Sequence, residues 1–171
     1  EKASTTLVTT NPAGEFVVSV SPTTYTLVPI KNVTQSFVDT LADGTVIAHD
    51  LKTVLHAFLK MGLDWGGSDV HDTRIAAFML NSLERSHELG DLLGRTVDMD
   101  ESGQVVAAIW QLYSEQVSAF AEMPKLYSLA RNVDFPVISL LAKMEHQGIK
   151  LNSAYLTEMS KTFEKKIGAL E

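Results

Sequence analysis

The chain has 171 residues, 45% of them hydrophobic, with a formal charge of −7 and no cysteine. That is enough for one domain with a real core, or for one domain and the start of another. The composition excludes disorder; no apolar run approaches the ~20 residues of a membrane span, and the acidic balance argues against this piece alone gripping a nucleic-acid backbone. Absence of cysteine and of a signal segment fits a reducing, cytoplasmic setting. The chain lacks an initiator Met and stops inside a helix-like pattern, so it reads as an excised piece.

Residues 1–14 are polar and Thr-rich and end in Asn11-Pro12-Ala13-Gly14, which predicts a loose lead-in and a turn. Phe16–Val20 and Tyr25–Ile30 are β-rich runs separated by Ser21-Pro22-Thr23-Thr24, the spacing of a hairpin. Asn32 or Thr34 can cap a helix carrying Val33, Phe37 and Leu41, which stops at Asp43-Gly44. Thr45–Ala48 reads as a short strand. A helix over Asp50–Met61 follows, with Leu51, Val54, Leu55, Phe58 and Leu59 on one face and Gly62 as its stop.

After a loop containing Trp65-Gly66-Gly67, Asp72 can cap a helix whose Ile75, Ala76, Phe78 and Met79 make a wide apolar face. Ser86 can cap a short helix with Leu89, Leu92 and Leu93, and 94–103 is an acidic loop. Val106, Ile109, Leu112, Tyr113, Val117 and Phe120 mark a long helix. Pro124 and Pro136 each suit a first helical turn, the second behind a possible Asp134 cap, and the helix over Val137–His146 stops at Gly148. Asn152 caps a last helix whose Leu156, Met159, Phe163, Ile167 and Leu170 form an apolar stripe backed by Lys161, Lys165 and Lys166. That stripe needs a packing partner.

No residue cluster satisfies a chemical motif on its own. The run Asp98-Met99-Asp100-Glu101-Ser102-Gly103 opens like a calcium loop, but its twelfth position is Ile109, where a bidentate acid is required. His49, Asp50, Asp69, His71 and Asp72 are metal-ligand types without zinc-site spacing. A nucleophile elbow and a glycine-rich phosphate loop are both missing.

Taken together and in order, residues 15–171 resemble the part of the bacterial DNA polymerase I family (family A) that holds the 3′–5′ exonuclease domain and the first helices of the polymerase thumb. Phe135-Pro136 through Glu145-His146-Gln147-Gly148-Ile149-Lys150-Leu151-Asn152 is similar to the family's entry into the polymerase module. His71-Asp72-Thr73 with Leu80-Asn81-Ser82 is similar to its Phe-Asp-Thr…Leu-Asn motif, and His49-Asp50-Leu51-Lys52 to its Gln-Asn-Leu-Lys.

The resemblance implies an α/β, ribonuclease H-like (DEDD-type exonuclease) fold with a reduced mixed sheet flanked by helices, then a helical extension. It divides the chain into a lead-in (1–14), an exonuclease-like domain (15–133) and the start of the thumb (134–171).

Exonucleases of this type use two divalent metals, which several converging carboxylates must hold. The family's first-strand Asp-x-Glu falls on Val20-Ser21-Pro22, its second Asp on Val54, and its Tyr-x-x-x-Asp near Gly103–Ala107. Val20, Pro22, Val54 and Ala107 thus stand as vacated ligand positions, and Val20, Val54 and Ala107 are expected to fill the emptied pocket with apolar groups. The resemblance then implies no catalytic residue, no metal and no cofactor: a scaffold for the rest of its own polymerase chain, with no membrane role. DNA would be met through the parent protein, with Lys161, Lys165 and Lys166 as possible backbone contacts. One alternative is a metal-dependent exonuclease using relocated acids such as Asp39, Asp50, Asp69 or Asp72. The other is a protein-interaction module using the exposed stripe.

Overall fold

The computed structural model describes residues 4–170. A five-stranded mixed sheet lies between two layers of helices. Its strands are β1 (Thr5–Thr10), β2 (Phe16–Ser21), β3 (Thr24–Val28), β4 (Thr45–Ala48) and β5 (Val70–Asp72), in the order β3-β2-β1-β4-β5. β1 pairs antiparallel with β2, Leu7 opposite Ser19, and parallel with β4, Leu7 opposite Ile47. β4 and β5 are parallel, and β2–β3 form the expected hairpin, with a register shift between Val18 and Ser21.

Two expectations are corrected here. The stretch read as a loose lead-in holds the central strand of the sheet, and the meander before the first helix has three strands, not two. Residues 1–3 of that lead-in lie outside the described residues. Polar composition misled because β1 carries only two apolar residues, and they are adjacent. Neighbouring side chains on a strand point to opposite faces, so Leu7 enters one core and Val8 the other. Gly44 lets β4 start against this strand, since a Cβ there would strike the carbonyl oxygen of Ser4.

On one face Leu7, Val17 and Ile47 pack under α4 (Leu89–Leu93) and α5 (Ser102–Ala121), meeting Leu89, Val105, Ile109 and Leu112. On the other, Val8, Phe16, Val46 and Ala48 pack against α1 (Gln35–Ala42), α2 (Leu51–Lys60) and α7 (Phe135–Gln147). Thr34 caps α1 and Asn152 caps α8 (Ser153–Gly168), as their residue types suggest. Asp72 caps α3 (Thr73–Leu80), and the three residues that precede this helix form β5, a strand the sequence reading did not assign.

Asp134 caps nothing. α6 (Pro124–Leu129) runs through a π-helical turn at Ala130–Asp134 directly into α7, so no helix starts there and no backbone N–H is left for its carboxylate. Phe135, Ile138 and Ala142 of α7 are buried in the same cluster as the sheet and α2, so a boundary at 133/134 would cut through this core. Ion pairs from Lys52 to Glu145 (2.9 Å), from Lys143 to Asp64 (2.8 Å) and from Arg131 to Asp69 fasten the rim of that seam. α8, by contrast, has no buried residue.

Candidate functional site at the carboxyl ends of the parallel strands

β1, β4 and β5 end on the same side of the sheet, where open α/β sheets place their ligands. Thr10 ends β1, His49 and Asp50 follow β4, and Asp72 ends β5.

Asp72 is buried, and both of its carboxylate oxygens are used. One accepts from the backbone N–H groups of Arg74 (2.9 Å) and Ile75 (3.0 Å), the other from that of Leu51 (2.6 Å). A single side chain therefore ties the first turn of α2 to that of α3. Burial pushes its carboxyl above the ordinary range, against the three N–H groups that favour the charged form.

His71 is equally enclosed. Gln116 Nε2 donates to the Thr73 carbonyl (2.7 Å), which turns Gln116 Oε1 toward His71 Nε2 at 2.9 Å and fixes the hydrogen on that ring nitrogen. Burial lowers the His71 pKa, so the imidazole is neutral at pH 7.

His49 Nδ1 lies 2.9 Å from the Thr73 hydroxyl, which itself donates to the Ala48 carbonyl (3.3 Å), so Nδ1 carries the proton. Its buried Nε2 has no hydrogen-bond partner. Desolvation, helped by the Arg74 charge, pushes its pKa down to about 4. Asp50 stands in the left-handed region (φ 63°) and accepts from Thr53 Oγ1 at 2.9 Å. Arg74 reaches Asp50 at 3.4 Å and Glu88 at 2.8 Å.

The acids considered as relocated ligands are thus dispersed. Asp39 holds Gln35 on α1 (2.7 Å), Asp69 takes Arg131 and the Thr45 hydroxyl, and Asp50 and Asp72 serve helix starts. Among the described residues, no three His, Asp or Glu side chains converge as a metal site.

Beside the end of β1 an open groove of about 750 Å³ runs along α2, lined by Thr10, Asn11, Phe16, Ile30, Thr53, His56 and Lys60 among others. Its polar groups are hydroxyls, an amide, an imidazole and an ammonium. Three carboxylates bond to these residues, and all are engaged: Glu15 accepts from Asn11 (3.2 Å), Asp50 from Thr53 (2.9 Å), and Glu145 holds Lys52 and His56 (2.9 and 2.8 Å). Such a donor set does not fit a pair of dications, which need bridging anionic oxygens.

Of the four positions singled out in sequence, Val20 lies on β2 and is 68% exposed, Pro22 lies in the β2–β3 turn, Val54 is 1% exposed on the buried face of α2, and Ala107 is half-buried on α5. They do not line one closed pocket. The expectation misplaced the first strand: β2 was taken for it, while β1 occupies the centre. Lys161, Lys165 and Lys166 are exposed on α8. Neither Trp offers an open stacking face: Trp65 is buried against Phe58 (centroids 6.3 Å apart), and Trp110 donates to Ser19 Oγ at 3.0 Å. The groove residues Asn11, His56 and Lys60 escaped the sequence reading because no periodicity links a turn to the outer face of a helix 45 residues on.

No family model matches the chain. It is 25% identical over 155 residues to the DNA polymerase I of Helicobacter pylori, an alignment covering 80% of this chain and 17% of that protein. It is 27% identical over 137 residues to the DNA polymerase I of Caldicellulosiruptor bescii, covering 76% of this chain and 16% of that one. This chain resembles DNA polymerase I. It spans about a sixth of the length of these polymerase I relatives. The fold is also shared with a solved structure, the POL domain of Pol1 from M. smegmatis in complex with DNA primer-template and dNTP. There the TM-score is 0.75 at 21% identity, over 96% of this chain and 32% of that one. The polymerase I likeness thus covers both faces of the sheet and the helices that follow it.

Proposed function

We propose that this chain is a non-catalytic 3′–5′ exonuclease-like domain, ribonuclease H-like in fold, of a DNA-directed DNA polymerase I acting in replication and repair. In this reading it carries the first helices of the polymerase thumb and serves as a scaffold for the polymerase module. The observation that carries the reading is the groove at the end of β1, which is lined by neutral and basic groups and by no carboxylate.

With β1 as the first strand, an Asp-x-Glu of the family type has its counterpart within Thr5–Thr10 and the turn after it, and Thr5-Thr-Leu-Val-Thr-Thr10-Asn11 holds no acid. Val54, at the second ligand position, is part of the core, where burial of apolar surface stabilises at ~25 cal/mol per Å² and a cluster of unmetallated carboxylates would repel. α7 belongs to the body of the domain, so the thumb proper would begin with α8. The exposed lysines of α8 would face duplex phosphates when the parent holds DNA. The domain works in the cytoplasm in this reading, and no helix among the described residues is long and apolar enough to cross a membrane.

Incubation with 5′-labelled single-stranded DNA and Mg²⁺ or Mn²⁺ tests the assignment. The labelled strand stays full length; a ladder of shortened products that disappears with chelator would refute it and favour the relocated-acid alternative.

A further inference from the structure

α8 is a 16-residue helix with no buried residue, although Leu156, Met159, Phe163 and Ile167 form one apolar stripe along it. A helix of this length is marginal alone in water, and most helical stability comes from packing an apolar face. The outer surface of α7, together with the π-helical turn before it, carries a second unpartnered stripe: Val133, Val137, Leu141 and Met144, each more than a third exposed. Along the chain these four are spaced 4, 4 and 3 residues apart, whereas those of α8 are spaced 3, 4 and 4. One sequence of steps is the reverse of the other. Laid antiparallel, Met144 meets Leu156, Leu141 meets Met159, Val137 meets Phe163 and Val133 meets Ile167, all in a single register.

The connection permits this arrangement. α7 ends at Gln147 and α8 begins at Ser153, leaving five residues, Gly148–Asn152, within the length that joins antiparallel helix pairs. Gly148 has φ 71° and ψ −178°, a conformation open to glycine, so the chain can redirect there at little cost.

We propose that α8 docks back onto the outer face of α7 as an antiparallel helical hairpin, so that the chain alternates between this closed form and the extended form described above. The occupant of the α7 face is the chain's own α8. A five-residue tether holds it at an effective concentration of about millimolar, which a second copy does not match in dilute solution. The closed form buries both stripes and leaves Lys161 on the outside. This inference does not depend on the polymerase reading; within that reading, a module that grips the α8 stripe would first have to lift it from α7.

Hydrogen exchange of the α8 amides, with and without Leu141→Asp, tests the proposal. Leu141 is exposed in the extended form, so the substitution leaves the domain folded, as unchanged exchange in β1 and β4 will report. The proposal requires the α8 amides to exchange about tenfold faster in the variant, the loss of roughly 1.4 kcal/mol of docking. Unchanged α8 exchange would overturn it.

The chain contains no cysteine, so a disulfide pair gives a second readout. Leu140→Cys with Ser160→Cys, which face each other in this register, should oxidise rapidly to an intramolecular bridge at a rate independent of protein concentration. Leu140→Cys with Lys161→Cys, whose second site lies on the lysine-bearing back of α8, should not. Equal rates for the two pairs, or disulfide-linked dimers as the main product, would sink the hairpin.

Discussion

His49 shows how one side chain can set the acid limit of this fold. Its folded pKa of about 4 lies below the ordinary 6.5, so the unfolded chain binds the proton more readily than the native one between those values. Stability is therefore fully present above pH 6.5 and falls as pH drops toward 4, by about 3 kcal/mol in all. His71, also lowered by burial, acts in the same direction, while Asp72, raised by burial, acts oppositely over the range where its carboxyl titrates. Urea unfolding across pH 7.5 to 4 should show a declining midpoint, and His49→Gln should flatten the decline; an unchanged slope in that variant would assign the acid sensitivity elsewhere.

Asp72 gives a second prediction at this scale. Asp72→Ala orphans three backbone N–H groups, a loss of about 2–3 kcal/mol. Asp72→Asn keeps one acceptor oxygen and turns an amide donor toward a backbone donor, so it should recover only part of that loss, as read by the unfolding midpoint.

Among the elements, α7 ties the C-terminal part of the chain to the sheet. Its attachment is apolar: Phe135, Ile138 and Ala142 are buried with the sheet, while its ion pairs are solvent-exposed. Exposed pairs contribute little, so Glu145→Ala should leave thermal stability nearly unchanged, whereas Phe135→Ala should cost about 3–5 kcal/mol. Cut after residue 133, the chain should lose cooperative unfolding; cut after residue 152, it should retain it. A stable fragment ending at 133 would support the boundary expected from sequence.

Most helices were legible because their signals are local: Thr34, Asp72 and Asn152 each cap the helix that their residue type and position suggest, and only Asp50, read as the first residue of its helix, proves to be its cap. What stayed hidden depends on distant partners. β1 shows only Leu7 and Val8 as apolar signals because a central strand divides its core contacts between two faces. β5 has just three residues, too few for any period. Asp134 and Pro136 look like a helix start because both residue types suit one, and nothing local reveals that α6 arrives already helical through a π turn. The groove at the end of β1 was illegible for a related reason: a turn, a strand and a helix build it, and only the folded sheet brings Asn11 near Lys60.

At the scale of the molecule, the fold keeps the layout of a sheet with ligands at its carboxyl edge and fills that edge with internal bonds. Asp72, His71 and His49 are all spent on holding α2, α3 and α5 in place. A ligand stabilises a fold by RT ln(1 + [L]/Kd). With no carboxylate set among the described residues to receive them, millimolar Mg²⁺ or Mn²⁺ should leave the melting temperature unchanged beyond the effect of ionic strength, and a metal-specific rise would reveal a site.

The position of β1 also bears on how the chain reaches this state during synthesis. Residues 5–10 emerge before either partner strand, yet one of the two seams they must form is with β4, where Thr5 pairs with Thr45, forty residues later. The hairpin side can zip at once, because β2 follows directly, but the parallel side must wait for a wide loop to close. Until then, the middle of the sheet has a raw margin open to any passing strand, and trimming a handful of residues from it would split the finished sheet into two halves with nothing between them.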